Sequence, residues 1–196
     1  MDLLKKVVFL DRDGTINVDS ANYVKSRSEF EFNPGSIEAI RDLTVNGFAA
    51  IVITNQSALA RGFVSLPELD AMHAMMCREV AAAGGKITDI FFCPHLPDDG
   101  CDCRKPAAGL IDQATQKYNI DLADSIMVGD SAKDIACGRN AGCGGTVLVK
   151  SGLGDDVGKE LLKKSISADF VAENLREAAG WIVSQTGESG EVEKMS

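Results

Sequence analysis

An α/β fold built on a mainly parallel sheet, three layers deep and Rossmann-like, is predicted by three observations. Short, β-branched apolar runs alternate with helical stretches along almost the whole chain. The gaps between the polar clusters hold only one helix and one strand apiece, plus loops, as crossover connections between parallel strands require. Polar residues end four successive strands, and parallel strands bring those ends to one edge of the sheet, where open α/β sheets bind their ligands.

The first strand is Val7-Val8-Phe9-Leu10, a short run that reads as buried on both faces. A polar loop follows, then a helix over residues 36–45 ended by Asn46-Gly47, and a second apolar strand over 49–53. Ser65-Leu66-Pro67-Glu68 has the spacing of a capping box with proline near the first helical position. The helix it opens runs to about residue 83, where Gly84-Gly85 stops it. Residues 90–92 make a third strand, 107–118 a helix, 125–128 a fourth strand and 132–140 a further helix. Residues 145–149 and 169–171 are the fifth and sixth strands, before a final helix containing Trp181. Residues 1–186 are expected to form one domain, and the polar residues 187–196 a disordered tail. No gap has room for a lid domain, so the fold is expected to be capless and its pocket open.

A chain of 196 residues with 45% apolar content can bury a core as one domain. A net charge of −9 argues against nucleic acid or an anionic membrane as partner. No apolar stretch approaches a membrane span, and the first residues lack the apolar centre of a signal peptide. A soluble, cytoplasmic monomer is expected. In a reducing compartment the six cysteines point to metal binding or burial rather than disulfides. Cys77, Cys137 and Cys143 lack partners at ligand spacing and read as small apolar residues. His73 and the methionines at 72, 75 and 76 share one helix; His73 is expected at the core edge or surface, and the methionines are packing residues.

Asp11-Arg12-Asp13-Gly14-Thr15 directly follows the first strand. Arg12 is expected to point away, so that Asp11 and Asp13 face one pocket, while Gly14 lets the backbone turn. Thr54-Asn55-Gln56-Ser57, Cys93 and Gly129-Asp130 end the next three strands. Asp11, the Asp13 carbonyl and Asp130 are hard oxygen donors suited to Mg²⁺, which also binds phosphate. Asp134 can ligate through water or, with Ser131, cap the following helix. A carboxylate nucleophile suits phosphate chemistry, because an aspartyl-phosphate splits one hard displacement into two easier ones. Asp11 is then the nucleophile and Asp13 the acid and base; Thr54 and the amides after it hold phosphoryl oxygens, and Lys105 adds a positive charge. Arg104, Lys105, Arg61 and Lys133 are the local cations that must offset the acidic balance at short range.

Cys93, His95, Cys101 and Cys103 place three sulfurs and an imidazole within eleven residues, a closed tetrahedral donor set of the kind zinc prefers. Such a site is structural. It folds a loop that leads straight into Arg104-Lys105-Pro106.

These residues resemble the haloacid dehalogenase (HAD) superfamily. Asp11-Arg12-Asp13-Gly14-Thr15 is similar to its first motif, Thr54 to its second, Lys105 to its third, and Gly129-Asp130-Ser131 with Asp134 to its fourth. An acid at position 13 resembles the phosphatase branch. With Ala60-Arg61-Gly62 and the Cys/His loop, residues 6–152 resemble the heptose-bisphosphate phosphatase family. The resemblance implies a capless Mg²⁺ enzyme with a zinc loop that takes one phosphate from a small phosphorylated sugar. It also implies that Asp19, Ser20, Ala21 and Asn22 form a substrate loop, that Asn55, Gln56, Ser57 and Arg61 belong to the substrate-binding set, and that Arg104 contributes to recognition. Two departures stand out: a short span between His95 and Cys101, and Ala58-Leu59 where Gly-Ile is commoner. Histidinol-phosphate phosphatases share the core and a similar loop and are the nearest alternative; a catalytically inactive, zinc-stabilised binding module is a more distant one.

Overall fold

β1 (Val7–Leu10) has no exposed residue, so the sheet must be covered on both faces where this strand lies. The computed structural model describes Leu4, residues 6–151 and residues 167–185; the predicted tail at 187–196 lies outside them. Six strands form one sheet in the order β3-β2-β1-β4-β5-β6: β2 (Ala49–Asn55), β3 (Ile87–Cys93), β4 (Ile126–Gly129), β5 (Gly145–Val149) and β6 (Phe170–Ala172) join β1. All five pairings are parallel.

The two-residue period of the strands sorts side chains between two cores. Val8, Leu10, Ala50, Val52 and Val128 pack with helices α1 (Ser36–Val45), α2 (Leu66–Ala82) and α5 (Leu175–Gln185). Val7, Phe9, Ile51, Ile53 and Met127 pack on the opposite face with α3 (Gly109–Tyr118) and Cys137 of α4 (Ala132–Ala141). The result is the three-layer arrangement that the alternation of elements predicts.

Several boundaries differ from expectation. β2 continues two residues further, through Thr54 and Asn55, because Cys93 and Phe92 of β3 remain in register beside them. α3 begins at Gly109 rather than near residue 107. At α2 only half of the capping box forms: the Glu68 amide donates to Ser65 Oγ at 3.3 Å, while the Glu68 carboxylate accepts from the Arg27 backbone and guanidinium instead. Residues 14–35 hold no inserted domain. They form a loop whose two sides are tied at Asn17 and Phe32 and by Val18 N donating to Glu31 O.

The strand order reverses direction at β1, between β2 and β4. That reversal opens a crevice at the carboxyl ends of β1 and β4, the place where doubly wound sheets bind ligands.

Candidate active site

Asp11 sits one residue beyond β1 and Asp130 one residue beyond β4, so the crevice is acid-lined from both sides. Its cavity is about 550 Å³ and is lined by Asp11, Asp13, Asp19, Ser20, Ala21, Thr54, Asn55, Gln56, Ser57, Arg104, Lys105 and Asp130, together with Arg12, Lys133 and Asp134. Of the candidate substrate residues, Asn22 lines a neighbouring depression instead, and Arg61 is exposed and lines neither.

Two glycines let the acids approach. Gly14 has φ +79°, and a Cβ there would run into the Asp130 carboxylate; a Cβ at Gly129 would run into the side chain of Asp134. Lys105, 3% exposed, is clamped between the acids, with Nζ 2.7 Å from Asp11 Oδ1 and 2.5 Å from Asp134 Oδ1. The Arg12 amide donates to the same Asp11 oxygen at 2.7 Å, which fixes the carboxylate's orientation. The second Asp134 oxygen accepts from Ser131 N at 3.0 Å and Ser131 Oγ at 2.5 Å. The helix-capping role foreseen for Asp134 is therefore present, and it also anchors the lysine.

Asn55 does for Lys105 what a neighbouring strand would do. Its Oδ1 accepts from Lys105 N at 3.0 Å and its Nδ2 donates to Lys105 O at 3.2 Å. The sequence marks Asn55 as a substrate residue, whereas its side chain is spent on this splint. Thr54 is 1% exposed, and Gln56 Nε2 donates both to Thr54 Oγ1 at 2.9 Å and to Asp13 Oδ2 at 2.8 Å. Asn17 Nδ2 donates to Asp13 Oδ1 at 2.9 Å.

Arg12 does not point away from this network. It is 1% exposed, lines the cavity and folds back onto Asp13. Strand alternation stops applying after Leu10, because the backbone turns there: Ile16 N and Asn17 N both donate to Arg12 O. His73 is likewise buried, 6% exposed, on the stripe Leu69, Met72, His73, Met76, Val80. That 3–4 spacing was a signal for its burial, and its contact with Arg12 was not.

The charges do not balance within the cluster. Asp11, Asp130 and Asp134 each offer an oxygen, all within 4.8 Å of one another, against the single ammonium of Lys105. Burial, then the charge of Asp134, pushes Asp11 up to about 7; burial, then Asp11 and Asp134, pushes Asp130 up to about 8. Such a set of hard oxygens fits a divalent cation. Asp13 differs: although burial raises it, the Arg12 charge and the Arg12, Asn17 and Gln56 hydrogen bonds bring its pKa below the usual value.

The Cys/His loop closes on itself at the cavity rim. Cys93 Sγ is 3.6 Å from Cys101 Sγ and 3.5 Å from His95 Nδ1, which is 3.2 Å from Cys103 Sγ. A disulfide requires about 2.0 Å between sulfurs. A tetrahedral ion with zinc–ligand bonds of about 2.0–2.3 Å separates its donors by roughly 3.4–3.8 Å, so the four side chains fit zinc. Burial and the other sulfurs push the Cys103 thiol up to about 12, a crowding that a cation relieves. Arg104 Nη1 donates to His95 O at 3.2 Å, so the loop holds the cation that faces the cavity.

A carboxylate one residue past β1, an acid two residues on, a clamped lysine and an acid after β4, with no inserted cap, together define the class: a capless HAD-type hydrolase. Comparison with known proteins agrees and narrows it. A family model described as HAD-hydrolase-like matches residues 102–178. The D-glycero-beta-D-manno-heptose-1,7-bisphosphate 7-phosphatase of Pseudomonas aeruginosa is 44% identical over 169 residues, covering 86% of this chain and 94% of that protein. The D-glycero-alpha-D-manno-heptose-1,7-bisphosphate 7-phosphatase of Photorhabdus laumondii is 40% identical over 154 residues, covering 75% and 84%. The crystal structure of D,D-heptose 1,7-bisphosphate phosphatase from B. bronchiseptica, complexed with magnesium and phosphate, aligns with a TM-score of 0.84 at 40% identity, covering 92% of this chain and 99% of that one. The chain belongs to the D-glycero-D-manno-heptose-1,7-bisphosphate 7-phosphatase family.

Proposed function

We propose that this chain is a Mg²⁺-dependent phosphatase that removes the 7-phosphate of D-glycero-D-manno-heptose 1,7-bisphosphate and leaves the heptose 1-phosphate. The observation that carries the reading is the convergence of Asp11, Lys105, Asp134 and Asp130 at the β1–β4 crevice. Asp11, held by Lys105 and the Arg12 amide, attacks phosphorus as the bond to the sugar oxygen breaks. Asp13 gives a proton to that departing oxygen. It then takes one from a water that attacks the aspartyl-phosphate, which frees phosphate and restores Asp11. Thr54 and the backbone amides after it hold the phosphoryl oxygens. Magnesium bound by the Asp11 and Asp130 carboxylates and the Asp13 carbonyl supplies the positive charge that lets two anions meet.

The rim supplies selectivity. Arg104 meets the second phosphate, and Asp19, Ser20 and Ala21, which also line the cavity, meet the sugar hydroxyls. Arg61 and Asn22, outside the cavity walls, join the substrate only if the rim closes on it. Zinc on Cys93, His95, Cys101 and Cys103 is structural, and the enzyme works as a cytoplasmic monomer.

A kinetic panel tests the reading: both heptose bisphosphate anomers, fructose 1,6-bisphosphate and histidinol phosphate, each with Mg²⁺. A cationic rim disfavours the amine of histidinol phosphate, so kcat/KM on the better heptose anomer is expected to exceed it by about 100-fold. Equal or reversed values overturn the assignment. Asp11→Asn, with the fold intact by circular dichroism, is expected to abolish phosphate release; retained release removes the nucleophile and with it the mechanism.

A further inference from the structure

Residues 94–108 belong to no helix or strand, yet they carry Lys105, whose ammonium must meet Asp11 and Asp134. Lys105 N and O have no backbone partner among the described residues; both bond the side chain of Asn55, at 3.0 and 3.2 Å. The next two carbonyls are held by side chains as well. Pro106 O accepts from Asn140 Nδ2 at 2.9 Å, and Ala107 O accepts from Cys137 Sγ at 3.2 Å. Burial pushes the Cys137 thiol up to about 12, which keeps it a donor. β2 thus grips the lysine, and α4 grips the two residues after it.

Asn55 also stands at the neck of this segment. It is in register with Cys93, where the chain leaves β3, and the amide of the next residue, Gln56, donates to Cys93 O at 2.7 Å. One residue of β2 therefore meets the segment where it begins and, through its side chain, where it returns to the crevice. The two bonds flank the Lys105 Cα, so they fix the point from which a long, flexible side chain sets out. Only a side chain that both donates and accepts can do this; an aspartate of the same shape accepts alone and would turn an oxygen toward the Lys105 carbonyl. We infer that Asn55 is a positioning residue for phosphoryl transfer: it pins the Lys105 backbone so that the ammonium meets the Asp11 carboxylate and the phosphoryl group that Asp11 attacks. The inference rests on the reading of Lys105 as the cation of that transfer.

Two substrates and a double variant test this, because Lys105 acts at phosphorus, which every substrate shares, whereas Arg104 acts on the rest of the sugar bisphosphate. Wild type, Asn55→Ala, Asn55→Asp, Asn140→Ala, Lys105→Met and Asn55→Ala/Lys105→Met are assayed with saturating Mg²⁺ on heptose bisphosphate and on p-nitrophenyl phosphate, with melting temperatures recorded. Asn55→Ala keeps its backbone amide and is expected to lose about 30-fold in kcat/KM, by the same factor on both esters. Asn55→Asp is expected to lose about 10-fold on both, so the outcome does not depend on the alanine variant folding. Asn140→Ala frees only the carbonyl after the lysine and is expected to stay within about 3-fold of wild type. Lys105→Met is expected to lose about 300-fold, with the double variant no worse than Lys105→Met. Losses that add in the double variant make Asn55 merely structural and overturn the inference. So does a loss confined to heptose bisphosphate, which means that Arg104 has moved instead, and so does an Asn140→Ala loss as large as that of Asn55→Ala. Asn55 variants as active as wild type overturn it too. A fully active Lys105→Met overturns the reading of Lys105 itself, and the inference with it.

Discussion

Asp130 shows at the scale of one residue how the site trades stability for chemistry. Its carboxylate lies 9% exposed among Asp11 and Asp134, with one lysine to offset three acids. Asp130→Asn removes a like charge, so at pH 8 without metal the variant is expected to melt about 2–4 °C higher than wild type. It is also expected to lose Mg²⁺-dependent turnover; calorimetry beside a phosphate-release assay checks both halves. His73 has the opposite sign. In the unfolded chain it titrates at the ordinary imidazole value of 6.5, and in the fold it is held down to about 4, so acid protonates the unfolded chain first. The contribution of the neutral ring is complete above pH 6.5 and falls away between pH 6.5 and 4, a loss on the order of 3 kcal/mol. Denaturant midpoints of wild type and His73→Asn at pH 7.5 and pH 4.5 should show a shallower decline in the variant. Asp11, Asp130 and the Cys/His set were legible in the sequence because strand ends and ligand spacing are local patterns. The inward turn of Arg12 was not, since it depends on α2 bringing His73 beside the Asp11–Thr15 loop, a contact 61 residues away along the chain.

Elements differ in how far local chemistry determines them. α1 and β5 begin and end where the sequence places them, because apolar periodicity and turn residues agree there. β2 and β3 run longer than their apolar cores, since pairing between them carries Thr54 and Asn55 into the ladder beside Phe92 and Cys93. Strand pairing of this kind is a tertiary fact, and no window of β2 alone contains it. The Cys/His loop is the reverse case: it lacks an apolar core of its own, and its ligand spacing was readable. Cys101→Ser should lower bound zinc below one equivalent and lower the melting temperature by several degrees. It should also reduce kcat/KM on the heptose bisphosphate about 10-fold, through displacement of Arg104 from the His95 carbonyl. Metal analysis and kinetics on one preparation check the three effects together; normal kinetics from zinc-free protein would detach the loop from recognition. The splint between Asn55 and the Lys105 backbone locates the lysine from β2 as well as from the loop.

At the scale of the molecule, an open crevice and an acidic surface set the terms of recognition. The net charge is −9, so attraction of a bisphosphate depends on cations gathered at the cavity: Arg104, Lys105, Lys133 and the metal. Among the described residues no helix is long and apolar enough to cross a membrane. The central position of β1, with β2 on one side and β4 on the other, has a temporal consequence. Asp11 and Asp130 stand 119 positions apart along the chain (130 − 11) and meet only once the β1–β4 ladder has zipped. An N-terminal half emerging from the ribosome therefore carries Asp11 without Asp130. In a refolding time course, regained phosphate release should lag the first helical signal and follow the last cooperative phase, making the enzyme's own catalysis a clock for its assembly.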